Sequence, residues 1–199
     1  MLAPFHNEPP TDFGQPAERE ALLAALAQAE AAFDRDYPLA VGGEPIWSGE
    51  WIESYDPCDL DRRVGRVARA TPALAERALD AAWAAYPDWS RAEPIVRARI
   101  LWRAAALLRR RKHQFSAFLV YEVGKNWAEA DADTAEAIDF LEYYGREIVR
   151  LAQPPTLHYT LGEENELRYQ PLGAGLIVSP WNFPLAILAG MAGDRKSVV

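Results

Sequence analysis

The apolar residues before position 152 recur mainly three or four places apart, which is the spacing of amphipathic helices. This spacing predicts helices over residues 16–36, 94–123 and 127–151, and another that begins at Thr71-Pro72. Thr71 suits the cap of that helix and Pro72 its first position. The predicted inward-facing residues are Leu22, Leu23, Leu26, Ala29 and Phe33, then Ala75, Leu79 and Ala82, then Ile100, Leu101, Ala104, Leu107 and Leu108, and finally Ala135, Ile138, Leu141, Tyr144 and Ile148.

Shorter runs of β character lie between and after these helices. Residues 39–54 predict a hairpin that turns at Gly42-Gly43, and residues 63–68 predict a further strand. After the prolines that end the last long helix, residues 156–160 and 167–170 predict two more strands around a turn.

An uncharged run over residues 170–193 is long enough for a membrane span. Glycines and prolines interrupt it, and a proline inside a helix costs roughly 3 kcal/mol, so we reject a span. Leu176-Ile177-Val178 instead predicts a strand buried on both faces. A tight loop over 180–184 and a helix over 185–191, with Pro184 in its first turn, would follow. Ligands bind at such strand ends in open α/β sheets, so we expect a site here.

Composition narrows the class of protein. The chain has 199 residues, of which 50% are hydrophobic and seven are tryptophan, so a sizeable core is possible. A net charge of −8 argues against nucleic acid as a partner. The only cysteine, Cys58, excludes a disulfide framework, and the start of the chain shows no signal peptide, so we expect a cytoplasmic protein. Residues 1–15 predict an extended arm and the basic run 109–112 a solvated helix end. The three histidines are too far apart in sequence to indicate a metal site.

Asn182 is the candidate for chemistry in the predicted loop, where it lies between two aromatic residues and two prolines. An amide held rigidly at the end of a buried strand can donate to an oxyanion, and such donors contribute roughly 3–4 kcal/mol in acyl chemistry. The alternative is that Asn182 only satisfies the backbone of its own loop. The residues alone leave both interpretations open.

The order of motifs over residues 35–191 resembles the aldehyde dehydrogenase superfamily. The motifs are Gly42-Gly43, Asp56-Pro57, Ala81-Ala82 before Trp89, Glu122-Val-Gly-Lys125, Pro171-Leu-Gly and Pro180-Trp-Asn-Phe-Pro184. Within the superfamily the chain is most similar to the 1-pyrroline-5-carboxylate dehydrogenases. That narrower likeness rests on Pro4-Phe5-His-Asn7-Glu8-Pro9, Arg109-Arg-Arg-Lys112, Tyr121-Glu-Val-Gly-Lys-Asn126-Trp127 and Ala135-Glu-Ala-Ile-Asp-Phe140.

The resemblance implies an NAD-dependent oxidation of L-glutamate γ-semialdehyde, a small aldehyde, to L-glutamate in proline catabolism. In the family a cysteine thiolate attacks the aldehyde, hydride passes to the nicotinamide, and a water activated by a glutamate releases the acid. By position Asn182 matches the oxyanion amide, and Phe183 matches an aromatic residue along the aldehyde tunnel. Glu136 matches an acidic residue near the substrate mouth, where it could meet the substrate ammonium; the alternative is an exposed helix residue. The positions that match the cofactor-lining segment are Val178, Ser179, Pro180 and Trp181.

The chain also departs from the family. The catalytic cysteine, the general-base glutamate, the ribose-binding lysine and the glycine-rich turn of the family lie beyond residue 199. Cys58 does not replace that cysteine, because its turn offers no helix N-terminus and no nearby cation in sequence. Charge arrives abruptly at residues 193–199, which we interpret as a truncated or misjoined reading frame. We therefore predict a fragment that is inactive alone.

The predicted fold class is α/β in the aldehyde dehydrogenase pattern, incomplete at its carboxyl end. Residues 1–152 would form the helical part of the cofactor-binding domain with a small hairpin. Residues 153–170 resemble an arm that pairs subunits, which implies a homo-oligomer in the complete protein, and residues 171–199 would begin the Rossmann-like cofactor fold. Two rivals stay open: an aldehyde dehydrogenase with another aldehyde substrate, and a non-catalytic helical module that binds partners through the arm.

Overall fold

The computed structural model describes residues 2–198, with side chains up to Gly193. Over that range the chain forms six helices and five strands. In chain order they are α1 (Pro16–Glu30), β1 (Arg35–Tyr37), β2 (Leu39–Val41), β3 (Glu44–Ile46), β4 (Trp51–Asp56), β5 (Asp59–Ala68), α2 (Pro72–Arg91), α3 (Pro94–Arg110), α4 (Lys112–Val123), α5 (Trp127–Leu151) and α6 (Ala186–Val198).

Helix α5 is the centre of the structure, because α3, α4 and α6 all pack against it. A capping box begins it: the Asn126 side chain accepts from the Glu129 amide at 2.9 Å, and the Glu129 carboxylate accepts from the Asn126 amide at 3.4 Å. Its predicted inward face is confirmed, since four of the five residues are buried and Tyr144 is half-buried. The apolar core that it shares with α3 consists of Leu101, Ala105, Ile138 and Leu141.

The strands form two small sheets beside the helices. In the first, β5 pairs with β1 in parallel and with β4 antiparallel. Hydrogen bonds from Arg66 on β5 hold the pKa of the Asp36 carboxyl on β1 below its usual value. The second sheet is the predicted hairpin of β2 and β3, whose turn residues Gly42 and Gly43 have φ of +62° and +88°. A second core lies where α1 packs on α4, and its buried residues are Ala25, Ala29 and Ala117.

The amino-terminal arm is fastened by the basic run, which is not the solvated helix end that the sequence predicted. Arg109 donates to Glu8 at 2.7 Å. Lys112 lies 2.9 Å from Asp131, a buried aspartate of α5. Asp131 also accepts from the amide and the hydroxyl of Thr11, at 2.8 Å and 2.6 Å. The prediction was wrong because the partners of these cations lie far away in sequence.

Two helix boundaries also differ from the prediction. Helix α1 ends at Glu30 rather than at residue 36. The helix predicted over 94–123 is two helices, because Arg111, with φ of −115° and ψ of 20°, leaves the helical conformation between α3 and α4. The break lets α4 turn toward α1, on which it packs.

Three segments after α5 that were predicted as strands pair with no neighbour, so these predictions were wrong. Residues 156–160 and 167–170 are exposed and have no regular secondary structure, and residues 176–178 join no ladder. Leu176, predicted to be buried, is 85% exposed. A strand needs a neighbour to satisfy its N–H and C=O groups, and neither sheet of the described chain lies beside these segments. The stripe on α2 is uncovered in the same way, since Leu79 is 51% exposed and the helix buries no residue.

The uncharged run is interrupted, as its glycines and prolines predicted. It has no regular secondary structure as far as Pro180, turns over 181–185 and continues as α6. Between residues 2 and 198 the structure contains no helix that is both long and apolar enough to cross a membrane.

The tight packing of α5 on α3 predicts the effect of one substitution. A Cβ at Gly145 would collide with the Trp102 indole, whose Nε1 donates to the Glu142 carbonyl at 3.3 Å. We expect Gly145→Ala to lower the free energy of unfolding by about 1–3 kcal/mol, although alanine favours helix by about 1 kcal/mol. Denaturation with urea measures the change. Gly193→Ala is the matched control, because its nearest atom would lie at an ordinary 3.5 Å. Equal stabilities of the two variants would contradict this packing.

Candidate functional site

The candidate site is the loop over residues 178–185, which leads into α6 and carries every predicted cofactor-lining residue. Val178 is 75% exposed and Trp181 is 83% exposed, while Ser179 is half-buried and Pro180 is exposed. Backbone contacts close the turn from its far side, where the Ile187 amide donates to the Phe183 carbonyl at 3.3 Å. The loop therefore exposes apolar side chains, and a backbone hydrogen bond joins its end to α6.

A buried carboxylate on α5 holds this loop. The Asp133 side chain is fully buried, and its Oδ1 accepts from the amide of Ala186, the first residue of α6, at 2.7 Å. Its Oδ2 accepts from Lys125 Nζ, also at 2.7 Å. A negative charge at a helix N-terminus satisfies an amide that has no partner within the helix, and it interacts favourably with the helix dipole. Asp133 therefore caps α6 from a neighbouring helix.

Lys125 reaches the loop from the connection between α4 and α5. Gly124, with φ of +70°, ends α4, and Asn126 begins α5, so the backbone on both sides of Lys125 is fixed. The lysine side chain is 10% exposed. Its Nζ lies 3.8 Å from the centre of the Phe183 ring, a cation–π contact in a desolvated place.

The irregular segment before the loop, residues 171–177, is attached to α2. Gly173 has φ of +93°, and a Cβ there would lie 2.5 Å from the Trp83 ring. The Tyr86 hydroxyl donates to the Pro171 carbonyl at 3.3 Å. Only glycine combines that backbone conformation with so close an approach. The segment is thus anchored at its start by α2 and at its end by α5.

Asn182 is exposed at the outer side of the turn. In the part of the chain that the structure describes, its side chain makes no hydrogen bond with the loop backbone, although the alternative interpretation requires one. A groove of about 640 Å³ lies elsewhere, between the amino-terminal arm and α5, and none of residues 178–183 lines it. The described chain therefore leaves the Asn182 side chain uncovered.

Glu136 and Cys58 lie apart from the loop. Glu136 is exposed on α5, and among the described residues no hydrogen bond or ion pair joins it to the loop. Cys58 is exposed in the turn between β4 and β5, where its amide donates to Asp56 at 2.8 Å. Within residues 2–198 no group of three or more histidine, cysteine, aspartate or glutamate side chains could hold a metal ion.

The sequence did not single out Asp133. It lies in an acidic stretch at the start of α5 that reads as a solvated surface. Helical spacing could have found it, because Asp133 follows Ala130 by three positions and precedes Ala137 by four, and both alanines are buried. An aspartate on the apolar face of a helix needs a partner, and this is the signal that was missed.

Known proteins resemble this chain over nearly its whole length. Residues 47–194 match the aldehyde dehydrogenase family. The 1-pyrroline-5-carboxylate dehydrogenase of Geobacillus kaustophilus is 54% identical over 190 residues, which are 96% of this chain and 37% of that protein. The corresponding protein of Bacillus cereus is 48% identical over 191 residues, with the same coverage. The chain thus spans about 37% of the length of these relatives.

Solved structures agree with the sequence comparison. A 1-pyrroline-5-carboxylate dehydrogenase from Thermus with bound NAD is 46% identical and has a TM-score of 0.94 over 99% of this chain and 38% of that one. Proline utilization A from Bdellovibrio bacteriovorus is 36% identical, with a TM-score of 0.91 over 98% of this chain and 20% of that one. The fold expected from the sequence, a truncated α/β structure of the aldehyde dehydrogenase type, is confirmed.

The exposure of Asn182 predicts that its side chain is dispensable for folding. We expect Asn182→Ala to change the free energy of unfolding of this chain by no more than about 0.5 kcal/mol, as for other surface substitutions. Leu101→Ala, in the buried core, is the control and should cost about 2–5 kcal/mol in the same urea titration. A loss above about 1.5 kcal/mol for Asn182→Ala would instead support a structural role for the amide.

Proposed function

The chain belongs to the aldehyde dehydrogenase family, and we propose that it forms the amino-terminal part of an enzyme that oxidises L-glutamate γ-semialdehyde to L-glutamate with NAD. The observation that carries the proposal is the identity of 54% over 96% of the chain to a relative named 1-pyrroline-5-carboxylate dehydrogenase. The same proposal includes a cytoplasmic location, NAD as the cofactor and a homo-oligomeric state for the complete enzyme.

Asn182 is the oxyanion donor in this proposal. When a nucleophile adds to the aldehyde carbon, the carbonyl oxygen gains negative charge, and an amide N–H that points at it lowers the barrier. Such a donor must be uncommitted and fixed before the substrate arrives. The exposed side chain of Asn182 and the turn held by Asp133 and Lys125 supply these two conditions. The nucleophilic cysteine and the general base would come from the part of the enzyme that this chain does not span.

The residues beside Asn182 suit a dinucleotide. Val178, Pro180 and Trp181 present exposed apolar side chains, which fit the flat apolar faces of the nicotinamide and adenine rings. When bound, NAD accepts the hydride that the aldehyde carbon loses. Ser179 adds a hydroxyl that can bind the polar edge of the cofactor. The Thermus neighbour, whose printed name includes bound NAD, supports this assignment.

Glu136 is the proposed selector for the substrate. Glutamate semialdehyde carries an ammonium group, and an exposed carboxylate on α5 can attract it. Phe183 would line the aldehyde path on the other side. The exposed position of Glu136 is equally that of an ordinary surface residue, so substrate preference has to decide between the two interpretations.

The segment 153–170 is proposed to pair subunits. It is exposed throughout, has no regular secondary structure apart from a turn at residues 160–163, and pairs with neither of the described sheets. Exposed strand edges are templates for pairing with another chain. The same feature is what a non-catalytic interaction module would use, and a catalytic assay separates the two functions.

The first test is turnover. We expect the purified chain of residues 1–199 to form no NADH from glutamate semialdehyde above the rate without protein. A chimera that joins residues 1–192 to the remainder of the Geobacillus kaustophilus relative should form NADH, as followed by its absorbance. Turnover by residues 1–199 alone would contradict the proposal that essential groups lie outside this chain.

The second test concerns Glu136. We expect Glu136→Gln in the chimera to raise KM for glutamate semialdehyde roughly two- to fivefold, the effect of one exposed ion pair. KM for an uncharged aliphatic aldehyde should stay the same. Glu129→Gln is the matched control, because it removes another exposed carboxylate of α5 and keeps a side-chain oxygen for the capping box. An unchanged preference between the two aldehydes in Glu136→Gln would rule out Glu136 as a selector.

A further inference from the structure

Two buried lysine–aspartate pairs fasten irregular segments to α5, and one of them holds the loop of Asn182. We propose that Lys125 and Asp133 are positioning residues, which set the place and direction of the Asn182 amide without touching the substrate. The inference rests on the proposed function for the role of Asn182, and on the described contacts for everything else.

Lys125 and Asp133 contact the loop at two points. Asp133 accepts from the Ala186 amide at 2.7 Å, which fixes where α6 begins. Lys125 lies 3.8 Å from the centre of the Phe183 ring, next to Asn182 in sequence. The ion pair, with 2.7 Å between Lys125 Nζ and Asp133 Oδ2, joins these two contacts into one unit. A short turn held at two points has little freedom left, so the pair restricts the backbone that carries the Asn182 side chain.

Both charges are buried, which makes the pair selective about geometry. The Lys125 side chain is 10% exposed and that of Asp133 is fully buried. A buried charge that loses its partner is strongly destabilised, so the loop cannot shift without breaking this unit. A hydrophobic contact of the same size would tolerate sliding. The pair therefore favours one loop conformation over near alternatives.

The pair between Lys112 and Asp131 is a natural comparison. It is of the same chemical type, its aspartate lies on the same helix α5, and it joins atoms 2.9 Å apart. It is almost as buried, but it holds the amino-terminal arm through Thr11. If burial of any lysine–aspartate pair on α5 mattered only for stability, the two pairs would respond alike. If the inference is right, only the pair of Lys125 and Asp133 affects the loop.

Hydrogen exchange of the 199-residue chain tests the structural step. We expect Asp133→Asn and Lys125→Met to raise exchange roughly tenfold or more at the amides of Ala186 and Ile187, which are hydrogen-bonded in the described structure. Lys125→Arg keeps the charge and the ring contact, and it should raise exchange much less. Lys112→Met and Asp131→Asn should leave these amides unchanged and affect the arm instead. Unchanged exchange in both Asp133→Asn and Lys125→Met would overturn the inference.

Kinetics of the chimera test the functional step. We expect Asp133→Asn and Lys125→Met to lower kcat roughly 10- to 100-fold, the usual effect of a misplaced group about 1 Å from its best position. KM for NAD should change less than kcat, because the pair contacts Phe183 and Ala186, which follow the proposed cofactor-lining residues in the chain. Lys125→Arg should recover most of kcat. Lys112→Met and Asp131→Asn should keep kcat near that of the unchanged chimera.

The outcomes separate the inference from the proposed function. A chimera that is folded but never oxidises glutamate semialdehyde refutes the proposed function, and hydrogen exchange then decides whether the pair holds the loop. An active chimera in which Asp133→Asn loosens the loop without lowering kcat refutes the positioning role. An equal loss of kcat for both lysine–aspartate pairs also refutes it, because that result indicates general destabilisation.

Discussion

The buried carboxylate of Asp133 is the constraint on which the site depends. Removing one partner of a buried ion pair costs about 3–5 kcal/mol, so Asp133 is stable in the interior only while Lys125 and the Ala186 amide reach it. The dependence is mutual. The start of α6 lies where the carboxylate can cap it, and the lysine is placed by the cap that begins α5. The charge of Asp133 thus fixes both the position of Lys125 and the start of α6, and with them the turn that carries Asn182.

Helix α5 can serve as this centre because it is surrounded on most sides. Ten of its 25 residues are buried, and among them are both Asp131 and Asp133. Residues two positions apart on a helix point about 200° away from each other. Asp131 therefore faces α4 and the arm, while Asp133 faces the loop and α6. The two aspartates attach segments that have no regular structure of their own, and the apolar residues between them pack the helices.

Features set by near neighbours in sequence were predictable. The hydroxyl of Thr71 accepts from the Leu74 amide at 3.3 Å, as its place before Pro72 indicated, and the hairpin turns at its two glycines. The turn around Asn182 was predictable for the same reason, since two prolines define it. Features set by distant partners were missed. The basic run meets an arm some hundred positions away, and Asp133 meets an amide 53 positions away.

The segment 176–178, which was predicted as a strand, shows a different limit of prediction from sequence. Its composition is that of a buried strand, and the sequence cannot say which neighbours would bury it. The chain spans about 37% of the length of its relatives, and within the proposed function the remainder would cover Leu176 and Trp181. The contacts of Asp133 with Lys125 and the Ala186 amide are made entirely by residues of this chain. The geometry of the turn is consequently local. Within the proposed function its burial, and with it the strength of an oxyanion contact in a dry site, would come from the part of the enzyme that this chain does not span.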